Sequence, residues 1–290
     1  MLSLPDASHP ESEAPGLLAA ALSVTRLDTL WAADLRLDDG PGLPARLRGA
    51  WGQRLRLHAA EGSDEAEQAL ELFFPEKTAA PGFGGAPPPY RFAAAQGPAG
   101  LSVTLALIGF AGRWRQAAFD ALIAALSEPP GLALRDRSGP SARLRLLRAD
   151  WTRTEGIRPL PPGDRVVLEF ATPLRIGPRD ALGTRFSDVL VGLAERGRDI
   201  GPWIGLRFCP DLSTWRDRAN QLRYDTKGLK PVVWESWSTR NGRDNAAGYL
   251  GRLVISGADG AVMALLAAGT ILHAGRSPGK GCGRYHLTVT

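Results

Sequence analysis

The chain has 290 residues, room for one large or two ordinary domains. Hydrophobic residues make up 44% and charged residues 22%, which supports a packed core and argues against a disordered chain. The net charge of +5 is unevenly placed: residues 1–150 hold 15 Lys+Arg against 17 Asp+Glu, and residues 151–290 hold 20 against 13, so the second half is the one suited to a polyanion. Only four of the cations are lysine; nucleotide bias accounts for that choice of cation but not for the split.

Membrane and metal classes are disfavoured. The longest apolar runs, such as Ala258 to Leu272, are shorter or more broken than a membrane span requires. The opening MLSLPDASHPESEAPG lacks the basic start and apolar segment of a signal peptide and reads as a loose tail. Cys209 and Cys282 lie far apart, His9, His58, His273 and His286 are the only histidines, and neither HExxH nor CxxC occurs. The expectation is a cytoplasmic protein with reduced thiols, no metal and no cofactor.

Residues 17–30 fit either a short helix or an entering strand, and 31–38 (WAADLRLD) alternate like a strand. After the DDGPGLP turn, Pro44 suits a first helical position, and Leu47, Trp51 and Leu55 recur at four-residue spacing on a helix over 45–60. An acidic helix follows at 64–74, then a Pro- and Gly-rich stretch at 75–100 that reads as a loop. A strand at 101–109, an amphipathic helix at 114–126 and a strand at 143–150 complete the first half. The segment EGIRPLPPGD (155–164) reads as a linker. The order then restarts, with a strand at 165–172, a helix at 184–196, a charged and partly helical insertion near 207–230, a strand at 249–256, a helix at 260–272 and a last strand at 284–290. This element order predicts an α+β protein of two tandem ferredoxin-like domains, 1–154 and 155–290, the second with a helical insertion.

Four segments are suited to chemistry. In the loop HAGRSPGKGCGR (273–284), glycines interleave with Arg276, Lys280 and Arg284; exposed backbone N–H groups and cations suit phosphates, although the Walker order is absent and a plain flexible connector is the simpler alternative. In the insertion, Arg216, Arg218, Arg223, Lys227 and Lys230 mix with Trp215 and Tyr224, a combination suited to RNA backbone and unpaired bases, while Asp211, Asp217 and Asp225 leave open a solvated helix with ordinary ion pairs. The segment WESWSTRNGRDNAAGYLG sets Arg240 and Arg243 in a polar turn between Trp234, Trp237 and Tyr249, equally readable as a hairpin with buried tryptophans. On the first helix, His58 can move a proton near neutral pH and Arg46 and Arg48 can stabilise charge on a phosphorane, though a lone histidine at a helix end is usually structural. No carboxylate cluster for a two-metal site and no GxSxG elbow is visible.

Several stretches together resemble one family. LPARLRGAWGQRL, PPPYRF, GLSVTLALIGFAGRWRQAAFDALIAAL, LEFATPLRI, GYLGRLVISG and LLAAGTILHAGRSPGKGCGRYHLT follow the order and spacing of the CRISPR precursor-RNA processing endoribonucleases of the repeat-associated (RAMP) superfamily, over most of residues 30–290. The resemblance implies tandem ferredoxin-like domains and recognition of a CRISPR repeat. It implies cleavage by 2′-OH attack that leaves a 2′,3′-cyclic phosphate and a 5′-OH, and retention of the crRNA, with other effector-complex subunits as partners. It puts Arg276, Lys280 and Arg284 on RNA and matches His58 to a histidine near the first helix. The arginine-rich composition resembles the type IV branch, which adds Arg46, Arg48, Arg240 and Arg243 as candidate catalytic residues. One departure stands: EPPGLALR after residue 127 replaces the family's GIG-type turn. A non-catalytic crRNA-binding subunit and a generic RNA-binding protein are the alternative readings.

Overall fold

The computed structural model describes residues 11–32, 40–74, 87–129, 131–133, 141–176, 187–238 and 242–290. Its contacts divide the chain into two compact units. One comprises Val24–Thr154 and Ser236–Gly242; the other comprises the residues up to Ser23, Glu155–Glu235 and Arg243–Thr290. Of the opening 16 residues read as a loose tail, 1–10 lie outside the described residues, but Glu11–Ser12 form a strand and Pro15 begins a helix, held there by pairing and packing that the local sequence does not encode.

The unit containing Val24–Thr154 is built on a four-stranded sheet. After the two-residue β1 (Glu11–Ser12), which belongs to the other unit, its strands are β2 (Ser23–Ala32), β3 (Tyr90–Gly97), β4 (Gly100–Ile108) and β7 (Arg145–Glu155), in the order β3-β4-β2-β7. β4 is antiparallel to both β2 and β3, with Leu27 opposite Leu105, Trp31 opposite Leu101 and Phe92 opposite Leu105. This is the ferredoxin-like order, with the unit's own first strand, β2, in the sheet interior. A minor pair, β5 (Leu132–Ala133) and β6 (Ser141–Ala142), lies between the last helix and β7. The helices are α2 (Leu43–Ala60), α3 (Asp64–Phe73) and α4 (Arg115–Ser127). Leu47, Trp51 and Leu55 form the buried stripe of α2 that their spacing predicts. Trp51 is the hub of the core: its ring lies 5.2 Å from Phe73, 5.0 Å from Tyr90 and 5.3 Å from Phe92, and its indole N–H donates to the Ala118 carbonyl at 2.9 Å. α3 starts where Ser63 caps it, its hydroxyl accepting from the Ala66 N–H, with Asp64, Glu65 and Glu67 at the positive end of the helix dipole.

The loop expected over 75–100 contains β3. Its signal was weak because Ala93, Ala94 and Ala95 are poor strand formers; pairing with β4 along the whole strand imposes the extended state.

The second unit repeats the topology. Its sheet runs β10-β11-β8-β12, from β8 (Arg165–Leu174), β10 (Arg223–Ser238), β11 (Gly242–Ser256) and β12 (Tyr285–Val289). Its helices are α5 (Asp188–Ile200), α6 (Leu212–Gln221) and α7 (Gly260–Leu272). The insertion near 207–230 is thus part helix and part sheet: β9 (Arg207–Phe208), then α6, then the first strand of the β10–β11 hairpin from Arg223 onward. A mostly polar strand at a sheet edge carries no apolar alternation, which is why it read as an insertion.

α7 is apolar nearly all round, so one sheet face does not suffice to cover it. The remaining cover comes from α5 and from α1 (Pro15–Ala21), whose Leu18 and Ala19 are fully buried. β1 extends this attachment by pairing in parallel with β9, Glu11 opposite Arg207.

Trp51→Ala is expected to destabilise the unit containing Val24–Thr154 by about 3–5 kcal/mol, the usual cost of deleting a fully buried aromatic. Urea unfolding checks this; a loss below about 1 kcal/mol would contradict the hub role.

Candidate nucleic-acid interface

The glycine-rich loop links the end of α7 to β12 within one unit. Gly275, Gly281 and Gly283 have positive φ, as do the non-glycines His273 and Ser277. A Cβ at Gly275 would run into the Arg175 carbonyl oxygen, and one at Gly283 into the Ala274 carbonyl oxygen. The glycines therefore let the loop approach the protein's own backbone.

That corrects the sequence expectation of free N–H groups along the loop. Ala274 N–H donates to Gly283, Arg276 to Arg175 at 2.7 Å, Lys280 and Cys282 to Ser277, Gly281 to Pro278 and Gly283 to Pro173 at 2.9 Å. The Arg284 N–H donates to the Thr172 hydroxyl at 2.8 Å. With most donors consumed, side chains provide the loop's charge. Arg276 is exposed, while Lys280 and Arg284 are half-buried.

Further groups assemble around the loop that the sequence reading did not single out. Arg175, just after β8, donates to the Ser277 hydroxyl at 3.1 Å and lies 5.8 Å from the ring of Trp234 on β10. Arg196 on α5 donates to the carbonyls of His273 and Gly275, and lies 3.5 Å from that of Leu272. Burial pushes its guanidinium down to about 10, with Asp199 and Glu195 acting the other way, so it stays charged at neutral pH. His273 is buried, and its Nδ1 donates to the Cys282 carbonyl at 3.2 Å, which sets the tautomer. The Cys282 thiol is pushed up to about 11 by burial, against the opposing pull of Arg175 and Lys280, and is a neutral, poorly reactive group at pH 7.

The other basic residues of this unit are spread out. Arg216 is exposed on α6, and Arg223, Lys227 and Lys230 are exposed on β10. Arg218 is engaged: it pairs with Asp259, the residue that caps α7, and lies 5.5 Å from the Trp215 ring. Asp211 caps α6, and hydrogen bonds from Thr214 and Ser213 hold its carboxyl down at about 2.

The remaining candidates belong to the first-described unit. Arg46 and Arg48 lie in the first two turns of α2 and His58 in its last. At 1.5 Å per residue, Arg46 and His58 stand about 18 Å apart along the axis, so this helix does not bring them to one phosphate. Arg48 donates to the Tyr90 hydroxyl at 2.6 Å and lies 4.9 Å from the Phe74 ring, which holds it against the aromatic core. Arg240 lies outside the described residues; Arg243 is in β11, its side chain outside them. Among the described residues, no three His, Cys, Asp or Glu side chains gather to hold a metal, and no helix is long and apolar enough to cross a membrane.

No protein-family model matches this sequence, and no curated protein does. Two tandem ferredoxin-like units define its fold class. Within that class its architecture is similar to solved Cas6 structures over nearly the whole chain. A Thermus thermophilus Cas6 in a product complex shares 15% identity at a TM-score of 0.54, covering 93% of this chain and 100% of that one. A Cas6 in a substrate-mimic complex shares 16% at 0.52, covering 92% and 99%. A Cas6-related protein from Pyrococcus furiosus shares 11% at 0.51, covering 91% and 98%. At such identities the likeness is one of fold.

Gly283→Ala is expected to lower stability by about 3 kcal/mol, combining an unfavourable φ of 76° with the clash at Ala274. Urea unfolding of the full chain measures it, and parental stability would contradict the packing role.

Proposed function

We propose that this chain binds CRISPR repeat RNA and cleaves it as a metal-independent endoribonuclease of the Cas6 kind. The observation that carries this reading is the combination of a fold that follows a Cas6 product complex end to end with a cationic, internally braced loop in the more basic half. Arg276, Lys280 and Arg284 take the phosphates. Arg216, Arg223, Lys227 and Lys230 extend the contact along the strand, and Arg218 contributes from its place beside Trp215. Arg175 and Trp234 add a stacked pair at the loop's edge.

In the reaction, the 2′-oxygen bonds to the adjacent phosphorus as the bond to the 5′-oxygen breaks. The 2′ proton passes to a general base, and the 5′-oxygen leaves with a proton from a general acid. The products are a 2′,3′-cyclic phosphate and a 5′-OH. Because the nucleophile is internal, positioning, proton transfer and charge stabilisation suffice. His58 is the proposed proton-transfer group. Arg240 and Arg243 are the proposed stabilisers of the pentavalent phosphate, whereas Arg46 and Arg48, about 15 to 18 Å from His58 along α2, do not share its phosphate. The mature crRNA stays bound and brings the chain to other effector-complex subunits in the cytoplasm.

A second reading has a specific observation in its favour. His58 and Arg46 are separated along α2, which suits a crRNA-binding subunit that does not cut.

Incubation with labelled repeat RNA in EDTA tests the proposal. Cleavage is expected with the all-ribose substrate and not with one carrying a 2′-deoxy at the nucleotide before the cut. Tight binding without cleavage of either selects the second reading, and equal affinity for unrelated RNA reduces the chain to a general RNA binder. The double variant Arg276→Ala/Lys280→Ala is expected to weaken binding and to lower the slope of log K against log salt by about 1.4, two single-strand phosphate contacts; an unchanged slope would remove both residues from the RNA. His58→Ala is expected to slow cleavage about 10²-fold or more at unchanged affinity. Full activity in that variant would transfer the proton-transfer role elsewhere.

A further inference from the structure

We propose that Arg196 is a positioning residue that locks the glycine-rich loop in its RNA-binding shape without touching RNA itself; this rests on the reading of the loop as the RNA contact. Three observations converge on it. First, its hydrogen-bond partners are carbonyl oxygens, those of Leu272, His273 and Gly275, where α7 ends and the loop begins. The last carbonyls of a helix lack intrahelical partners and carry the negative end of its dipole, so a cation there satisfies both needs. The nearby Asp199 is bonded to Arg198 at 2.9 Å, so the attachment is to backbone and not to an acid.

Second, the residue it holds is in an unusual conformation. His273 has φ 62° and ψ 149°, a region that side chains other than glycine rarely enter and that persists only where neighbours enforce it. The Arg196 contact to its carbonyl and the Nδ1 contact to Cys282 are two such constraints, fixing both ends of the loop at once. Third, the planar guanidinium reaches several acceptors from one position, which the single ammonium of a lysine does not reproduce.

Cys282 supplies a reporter independent of RNA. Its thiol is buried within the loop, whereas Cys209 is exposed, so in a Cys209→Ser background the rate of thiol labelling reads loop opening. Arg196→Met is expected to speed Cys282 labelling at least tenfold. It is also expected to weaken binding of a labelled repeat RNA about tenfold, the scale of one lost charge-assisted hydrogen bond. The slope of log K against log salt should stay at the parental value, because no phosphate contact is removed. Arg196→Lys, which keeps the charge, should fall between parent and Arg196→Met in both readouts, and it carries the test if the methionine variant does not fold.

Unchanged labelling overturns the lock. Faster labelling with unchanged affinity overturns its link to RNA. A slope reduced by about 0.7 overturns the positioning role in favour of direct contact. If the parent protein fails to bind either the repeat RNA or a mixed-sequence RNA, the RNA reading fails together with the affinity half of this proposal. The labelling rates then still decide the lock.

Discussion

An almost wholly apolar helix, α7, must end and return its chain to the sheet interior's neighbour β12 within a dozen residues. That reversal is the constraint on which the second unit depends. It is met by positive φ at five of the loop's residues and by close backbone approach at Gly275 and Gly283. The guanidinium of Arg196 completes it by gathering the carbonyls of Leu272, His273 and Gly275, where the helix gives way to the loop. Tyr285 adds a tie at the loop's far end: its hydroxyl donates to the Leu266 carbonyl at 2.6 Å, across a gap that only Gly269 leaves open. Once the backbone is folded on itself in this way, most of the loop's N–H groups are spent internally, and its side chains carry what charge it presents.

The same topology is reached twice with different means. In the unit of β2, β3, β4 and β7, an aromatic cluster around Trp51 joins helix to sheet. In the other, aliphatic packing around α7 does so, and α1 is recruited from the start of the chain to finish it. Net charge does not follow this division: the unit of Val24–Thr154 and Ser236–Gly242 holds 17 Lys+Arg against 14 Asp+Glu, and the other unit 18 against 16.

Much of this was legible in the sequence. The helices at 45–60, 64–74, 114–126 and 260–272, and the strands at 101–109, 165–172 and 284–290, appear close to where the residue pattern puts them. β3 and the start of β10 were not legible, because an alanine run and a polar edge strand are extended only through their partners. The loop announced itself by its glycines, but their purpose did not: Gly283 faces Ala274, a contact that no local pattern encodes. Arg196 gave no signal either. Within VGLAERGRDI it looks like any solvated helix cation, and only the path of the chain 76 to 79 residues later puts carbonyls over it. The separation of His58 from Arg46 was, by contrast, present in the spacing alone.

Hydrogen exchange with and without repeat RNA tests the central claim most directly. The account predicts that RNA slows exchange in the exposed strand residues from Arg223 to Lys230. It predicts the same across 272–285 together with the segment 172–176 on which that loop rests. Protection confined to the unit of α2, α3 and α4, with the loop exchanging as it does in free protein, would contradict it.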